Sequence, residues 1–200
     1  LQVLMKKDVY IVSSATVVGI EEKDGPLGEF FDECDNKDDT FGCDTWEKAE
    51  SEMQRLALGK ALSFAGKKDT DIEMLFAGDL LNQCSGTGFA VRDYDIPFSG
   101  VYGACSTMAL SLCMTTLMIE TGAFTNCIAA TSSHFCSAEK QFRKPLEYGG
   151  QRPPSAQWTV TGSGAAIVSQ SRKDTPYIDK VIFGSVRDLG IKDANNMGCA

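Results

Sequence analysis

Between Asp95 and Glu120 the chain carries no charged residue: IPFSGVYGACSTMALSLCMTTLMI fills residues 96–119. That length of uncharged chain can span a bilayer, but Pro97, Ser99, Gly100, Gly103, Ser106 and Thr107 punctuate its first half. The stretch therefore reads as a buried strand, a turn and a helix rather than as a transmembrane segment. The helix, STMALSLCMTTLMIET at 106–121, is apolar on nearly every face and is expected to be enclosed by protein on all sides.

A buried unit of this kind needs layers on either side, and the flanking sequence supplies them. DVYIVSSATV at 8–17 is a β-branched strand. Asp44 with Glu47 resembles a capping box opening a helix over 45–65, with Trp46, Ala49, Met53, Leu56, Ala57, Ala61 and Phe64 on one face and Gly66 at its end. DIEMLFAGD at 71–79 is a second strand, followed by a helix over 81–94 that Gly86 and Gly88 weaken. Strand three spans 96–103 and strand four, NCIAATSS, spans 126–133. TGSGAAIVSQS and YIDKVIFGSVRDLG read as two closing strands joined by a turn at 172–176. Strand–helix alternation implies a mostly parallel sheet with helices on both faces, and the closing pair adds an antiparallel edge.

Charge narrows the partners. The 200 residues hold 19 basic and 27 acidic side chains, a formal charge of -8, which argues against an extended nucleic-acid surface. The acidic cluster within the excursion at 21–44 lacks EF-hand spacing and reads as a solvated loop. None of the eight cysteines is spaced as a zinc knuckle or redox pair, so a reduced compartment, with most of them as small hydrophobes, is expected. No signal-peptide pattern opens LQVLMKKDVY.

In parallel sheets, ligands collect at the carboxyl ends of strands, here Ala77 to Asn82, Tyr102 to Thr107 and Thr131 to His134. Cys105 falls at a strand-to-helix turn, where a helix N-terminus favours thiolate and Gly103 and Ala104 leave room for a sharp bend. A nucleophile and an inert core thiol both fit that pattern. His134, the one histidine, is either a proton acceptor for Cys105 or a capping residue. Arg143 and Arg152 are carboxylate clamps or solvated loop residues, and Asp79 and Asn82 are helix-capping residues or ligand contacts. Gly162 and Gly164 precede a strand rather than a helix, so close backbone approach explains them better than a phosphate loop.

EKDGPLG at 22–28, AGDLLNQ at 77–83, GACST at 103–107, AATSSH at 129–134, QFRKPLEYGGQRP from 141 and TVTGSGA from 159 together resemble the stage V sporulation protein AD family, thiolase-fold proteins of spore-forming Firmicutes. The resemblance implies a thiolase-like half-domain over residues 1–200: a mostly parallel five-stranded sheet with helices on both faces, the excursion at 21–44 included and the fold's second half absent. It implies binding of dipicolinic acid, accompanied by calcium, for uptake into the forespore, with no cofactor and no metal site of its own. The implied partners are the other membrane proteins of the stage V sporulation A operon, with a homodimer possible and no nucleic acid. The implied location is cytoplasmic, peripheral to the forespore inner membrane.

Cys105 then matches the family's inherited nucleophile position, and His134 and Arg143 match retained positions. The histidine and second acid/base of thiolases come from the other half, so no complete catalytic set is expected here and the chain is not expected to be an enzyme. Either the chain is truncated or two copies pair to rebuild a two-half body. The alternative activity is a ketosynthase III-like or thiolase-like acyltransferase with the acyl group carried on Cys105.

Overall fold

The computed structural model describes residues 1–142, 159–171 and 174–192. Strand β1 is Gln2–Val18, β2 Glu33–Cys34, β3 Met74–Gly78, β4 Phe98–Gly100, β5 Asn126–Ser133, β6 Gly162–Ser169 and β7 Tyr177–Ile182. Helix α1 is Ile20–Lys23, α2 Trp46–Ala65, α3 Ser85–Val91, α4 Thr107–Glu120 and α5 Phe135–Phe142.

The strands form one sheet in the order β2-β1-β6-β5-β3-β4, with β7 also on β1. It is seven-stranded and mixed rather than five-stranded and mostly parallel: β3 runs parallel to β4 and β5, and β1 to β2, but β6 is antiparallel to both β1 and β5. The expected closing hairpin does not form. Strand β6 enters the middle of the sheet, and β7 pairs with the first half of β1. The reason is visible in GSGAAIVS: Ala165, Ala166, Ile167 and Val168 are all buried, so this strand needs cover on both faces, which an edge cannot supply. Strand β1, 17 residues long, accommodates two antiparallel partners along its length.

Alternation along the strands separates two cores. Tyr10, Val12, Ile128 and Ile167 pack with Met53, Ala57, Leu58 and Ala61 of α2. Val9, Cys127 and Val168 pack with Ile119 of α4 on the opposite face. The start of α2 departs from expectation by one residue: Thr45 accepts from the Lys48 amide at 3.3 Å, whereas Asp44 forms an exposed ion pair with Lys48 at 2.7 Å. Gly66, at φ 63°, closes the helix, with Lys67 N–H donating back to the Leu62 carbonyl.

Helix α4 is not enclosed all round. Its buried residues are Thr107, Ser111, Thr115, Thr116 and Ile119, so the small hydroxyl-bearing side faces the sheet. Leu110, Cys113, Met114 and Leu117 are only half-buried and Ala109 is exposed. Hydroxyl donation back to the helix makes the polar face compatible with burial: Thr115 and Thr116 both donate to the Leu112 carbonyl. Close approach replaces bulk, and Gly78 shows why: a Cβ there would lie 1.9 Å from the Val101 carbonyl and 2.9 Å from Thr107 Cγ2. Among the described residues no helix is long and apolar enough to cross a membrane, and seven cysteines are free thiols.

Candidate functional site

The turn before α4 is strained as a nucleophile-type bend requires. Ala104 sits at φ 46°, a region that costs a residue with a Cβ about 1–2 kcal/mol. At Gly103 before it, a Cβ would meet Ser106 Oγ at 2.6 Å, so a side chain there would displace that hydroxyl. The Ser106 amide and hydroxyl both donate to the Gly103 carbonyl, at 2.9 and 2.7 Å, and Gly103 N–H donates to Thr107 Oγ1 at 3.2 Å. These bonds hold Cys105 exposed, one residue ahead of Ser106, and no side chain caps the helix N-terminus.

Cys105 opens into a cleft of about 460 Å³. Its floor is two cross-strand rows on the α4 face of the sheet: Thr16, Gly164 and Thr131, then Val18, Gly162 and Ser133. Phe31, Leu80, Met108 and Val160 form apolar walls. Gly164 has nothing within 4 Å of a Cβ position, so it is an opening rather than the close backbone approach that the sequence suggests. The excursion at 21–44 is docked against this edge, not merely solvated. Asp32 accepts from the Thr16 amide and hydroxyl, Glu22 accepts from Thr161 N–H, and Asp39 accepts from Ile20 N–H at 2.7 Å. Burial pushes the Glu22 carboxyl above the ordinary range, with Asp39 and Glu21 adding repulsion against the Thr161 bond.

His134 lies on the other face. It continues the alternation of Ile128, Ala130 and Ser132 toward α2, stacks on Trp46 with ring centroids 5.3 Å apart, and is fully buried. Its Nδ1 accepts from Cys136 N–H at 3.2 Å, which assigns the proton to Nε2, donated to the Asp39 carbonyl at 2.9 Å. Both ring nitrogens are thus occupied away from Cys105. Burial pushes the imidazole pKa down, against the pull of the Asp39 carbonyl. Asp79 is buried, accepting Leu81 N–H at 2.7 Å and the Thr87 amide and hydroxyl at 2.6 and 2.5 Å; it organises the start of α3. Asn82 is exposed in a short 3-10 turn over Asn82–Cys84, ahead of Gln83 at φ 61° and Cys84 at φ 53°. Arg143 and Arg152 lie outside the described residues.

Glu50 was not legible as a functional candidate. Fully buried on α2, it accepts from Ser137 Oγ at 2.6 Å and Ser132 Oγ at 3.2 Å. Burial, aided by the negative charge of Asp79, pushes its pKa up to about 7 against the pull of those donors. The available signal was its spacing: Met53 and Ala57, at i+3 and i+7, place Glu50 on the apolar side of the helix. A separate pocket of about 330 Å³ lies between α2 and α3, with Arg55, Phe89 and Arg92 among its lining residues, and Cys105 has no part in it.

A helix starting at a strained cysteine turn, over a mixed sheet that carries a cleft on that face, is the arrangement of thiolase-like proteins. Solved structures agree at the level of fold. A variant of Xanthomonas campestris OleA superposes with a TM-score of 0.58 at 15% identity, covering 84% of this chain and 58% of that one. A 3-oxoacyl-(acyl carrier protein) synthase III of Xanthomonas oryzae gives 0.54 at 16% identity, over 84% and 58%. The priming β-ketosynthase of the R1128 polyketide pathway gives 0.53 at 15%, over 86% and 52%.

Within that class the sequence match is specific. The chain belongs to the stage V sporulation protein AD family, whose profile matches residues 2–200. It is 42% identical over 194 residues to stage V sporulation protein AD of Bacillus subtilis, covering 96% of this chain and 56% of that protein. The chain thus spans little more than half the length of this curated relative.

Proposed function

We propose that this chain forms the ligand-binding half of a sporulation protein that takes up dipicolinic acid, with calcium, into the forespore, and that Cys105 serves the cleft as a wall residue rather than as a turning-over nucleophile. The observation that carries this reading is the cleft itself: apolar walls, a hydroxyl-bearing floor and the uncapped N-terminus of α4 converge on one space. A planar aromatic dicarboxylate suits such a space, because its ring fits between Phe31, Leu80 and Met108 while hydroxyls and the positive helix end meet its carboxylates. Asp32 and Glu22 beside the cleft favour a ligand whose charge is offset by calcium. Arg143 is proposed as a further carboxylate contact.

The apolar outer side of α4, with Leu110, Cys113, Met114 and Leu117, is proposed as the surface that packs on a second thiolase-like half, supplied by the same protein or by another copy. Docking to the membrane proteins of the same operon would place the complex, otherwise cytoplasmic, at the forespore inner membrane. Thermal unfolding of the full-length protein tests the ligand: saturating dipicolinate with calcium raises Tm, and no rise at millimolar ligand overturns the reading.

The exposed Cys105 on its strained turn favours a second reading, acyl transfer through a Cys105 thioester. Mass spectrometry after incubation with acetyl or malonyl coenzyme A decides between them. An acyl adduct lost in Cys105→Ala supports transfer, and unmodified protein supports binding.

A further inference from the structure

Two carboxylates are buried on the α2 face, directly behind the cleft, and the described residues give Glu50 no ion pair. Burying a carboxylate without a cation is costly, and a chain that needed only packing would place an apolar residue at that position. What Glu50 has instead is two hydroxyl donors from two segments: Ser132 near the end of β5, at 3.2 Å, and Ser137 in α5, at 2.6 Å. Ser132 is also a cleft-lining residue, reached from the other side of the sheet. The Ser137 hydroxyl also lies 3.1 Å from the His134 carbonyl and shares its one proton between the two acceptors, so the same knot includes the turn into α5.

We infer that Glu50 is a positioning residue for the Cys105 cleft, fixing Ser132 from behind the sheet and tying it to the first turn of α5. The inference rests on the cleft being the ligand site. Its geometry is one of shared anchoring: a single carboxylate bonds the end of β5, just after Thr131 opposite Gly78 of β3, and the first turn of α5. A carboxylate accepts both hydroxyl protons, whereas a neutral carboxyl carries an O–H donor of its own and turns one of the two bonds round. The charge state of Glu50 therefore changes how Ser132 and α5 are held. Among the described residues the charged group that presses on it is Asp79, on the β3 side, and the Ser137 and Ser132 hydroxyls meet it from α5 and β5.

The test compares wild type, Glu50→Gln and Glu50→Ala in the full-length protein, titrated calorimetrically with sodium dipicolinate and calcium chloride between pH 6 and pH 8. Glu50→Gln keeps the shape and is expected to fold with wild-type circular dichroism, to bind about tenfold more weakly at pH 8, and to lose the wild type's change in affinity across this pH range. Binding by Glu50→Gln equal to wild type at every pH overturns the inference. If wild type shows no binding, the ligand assignment fails, and amide exchange decides the positioning role without ligand. Faster exchange at 131–138 in Glu50→Ala or Glu50→Gln, with the rest of the sheet unchanged, upholds it, while wild-type exchange in that segment overturns it.

Discussion

Glu50 and Asp79 are neighbouring buried carboxylates whose loss is expected to act in opposite directions. Asp79 accepts three donors, two of them main-chain, and Asp79→Ala leaves those donors unpaired in the interior. A loss of about 3 kcal/mol is expected in denaturant unfolding. Glu50, with its pKa pushed from 4.5 up to about 7, binds its proton more tightly folded than unfolded. Its contribution is therefore fully present below about pH 4.5 and is lost as pH rises through 7. The wild type is expected to lose about 2–3 kcal/mol relative to Glu50→Gln between pH 5 and pH 8, and parallel stability curves would contradict this. At this scale the sequence was informative about Cys105, because a Gly-Ala pair before a cysteine leaves the backbone room for a sharp strand-to-helix turn. It was uninformative about His134, since one residue of alternation decides which side of a sheet a side chain occupies, and that depends on register.

Among the elements, α4 carries the clearest surprise. Uniform apolarity in sequence predicts a helix covered all round, yet the side turned to the sheet is mostly hydroxyl-bearing, and at its start the helix comes so close to β3 that a Cβ on Gly78 would lie 2.9 Å from Thr107 Cγ2. Ser111 Oγ is buried there without a hydrogen-bond partner. Ser111→Ala is expected to be neutral or stabilising by up to about 1 kcal/mol, and Ser111→Leu to destabilise by about 1–3 kcal/mol through overpacking, both measurable by denaturant unfolding. Hydroxyl residues every fourth position, at 107, 111 and 115, were the legible trace of this face. The position of β6 was not legible, since strand order depends on non-local pairing, but its unbroken run of buried residues excluded an edge.

For the molecule as a whole, periodicity and alternation made the α/β class, the two-sided sheet and the strand-to-helix turn at Cys105 readable, and the family segments made the relationship readable. The sheet's mixed pairing, the docking of residues 21–44 and the cleft floor came from contacts between distant segments, which no local pattern encodes. The central claim is that the space over Thr16, Gly164 and Thr131 receives dipicolinate. Gly164 has an ordinary backbone and open space beside it, so Gly164→Leu places a side chain into the cleft without strain. Calorimetric titration of full-length wild type and Gly164→Leu with dipicolinate and calcium is the most direct measurement. We predict saturable one-to-one binding by wild type and its loss in the variant, with Tm preserved; equal binding by both proteins would contradict the account.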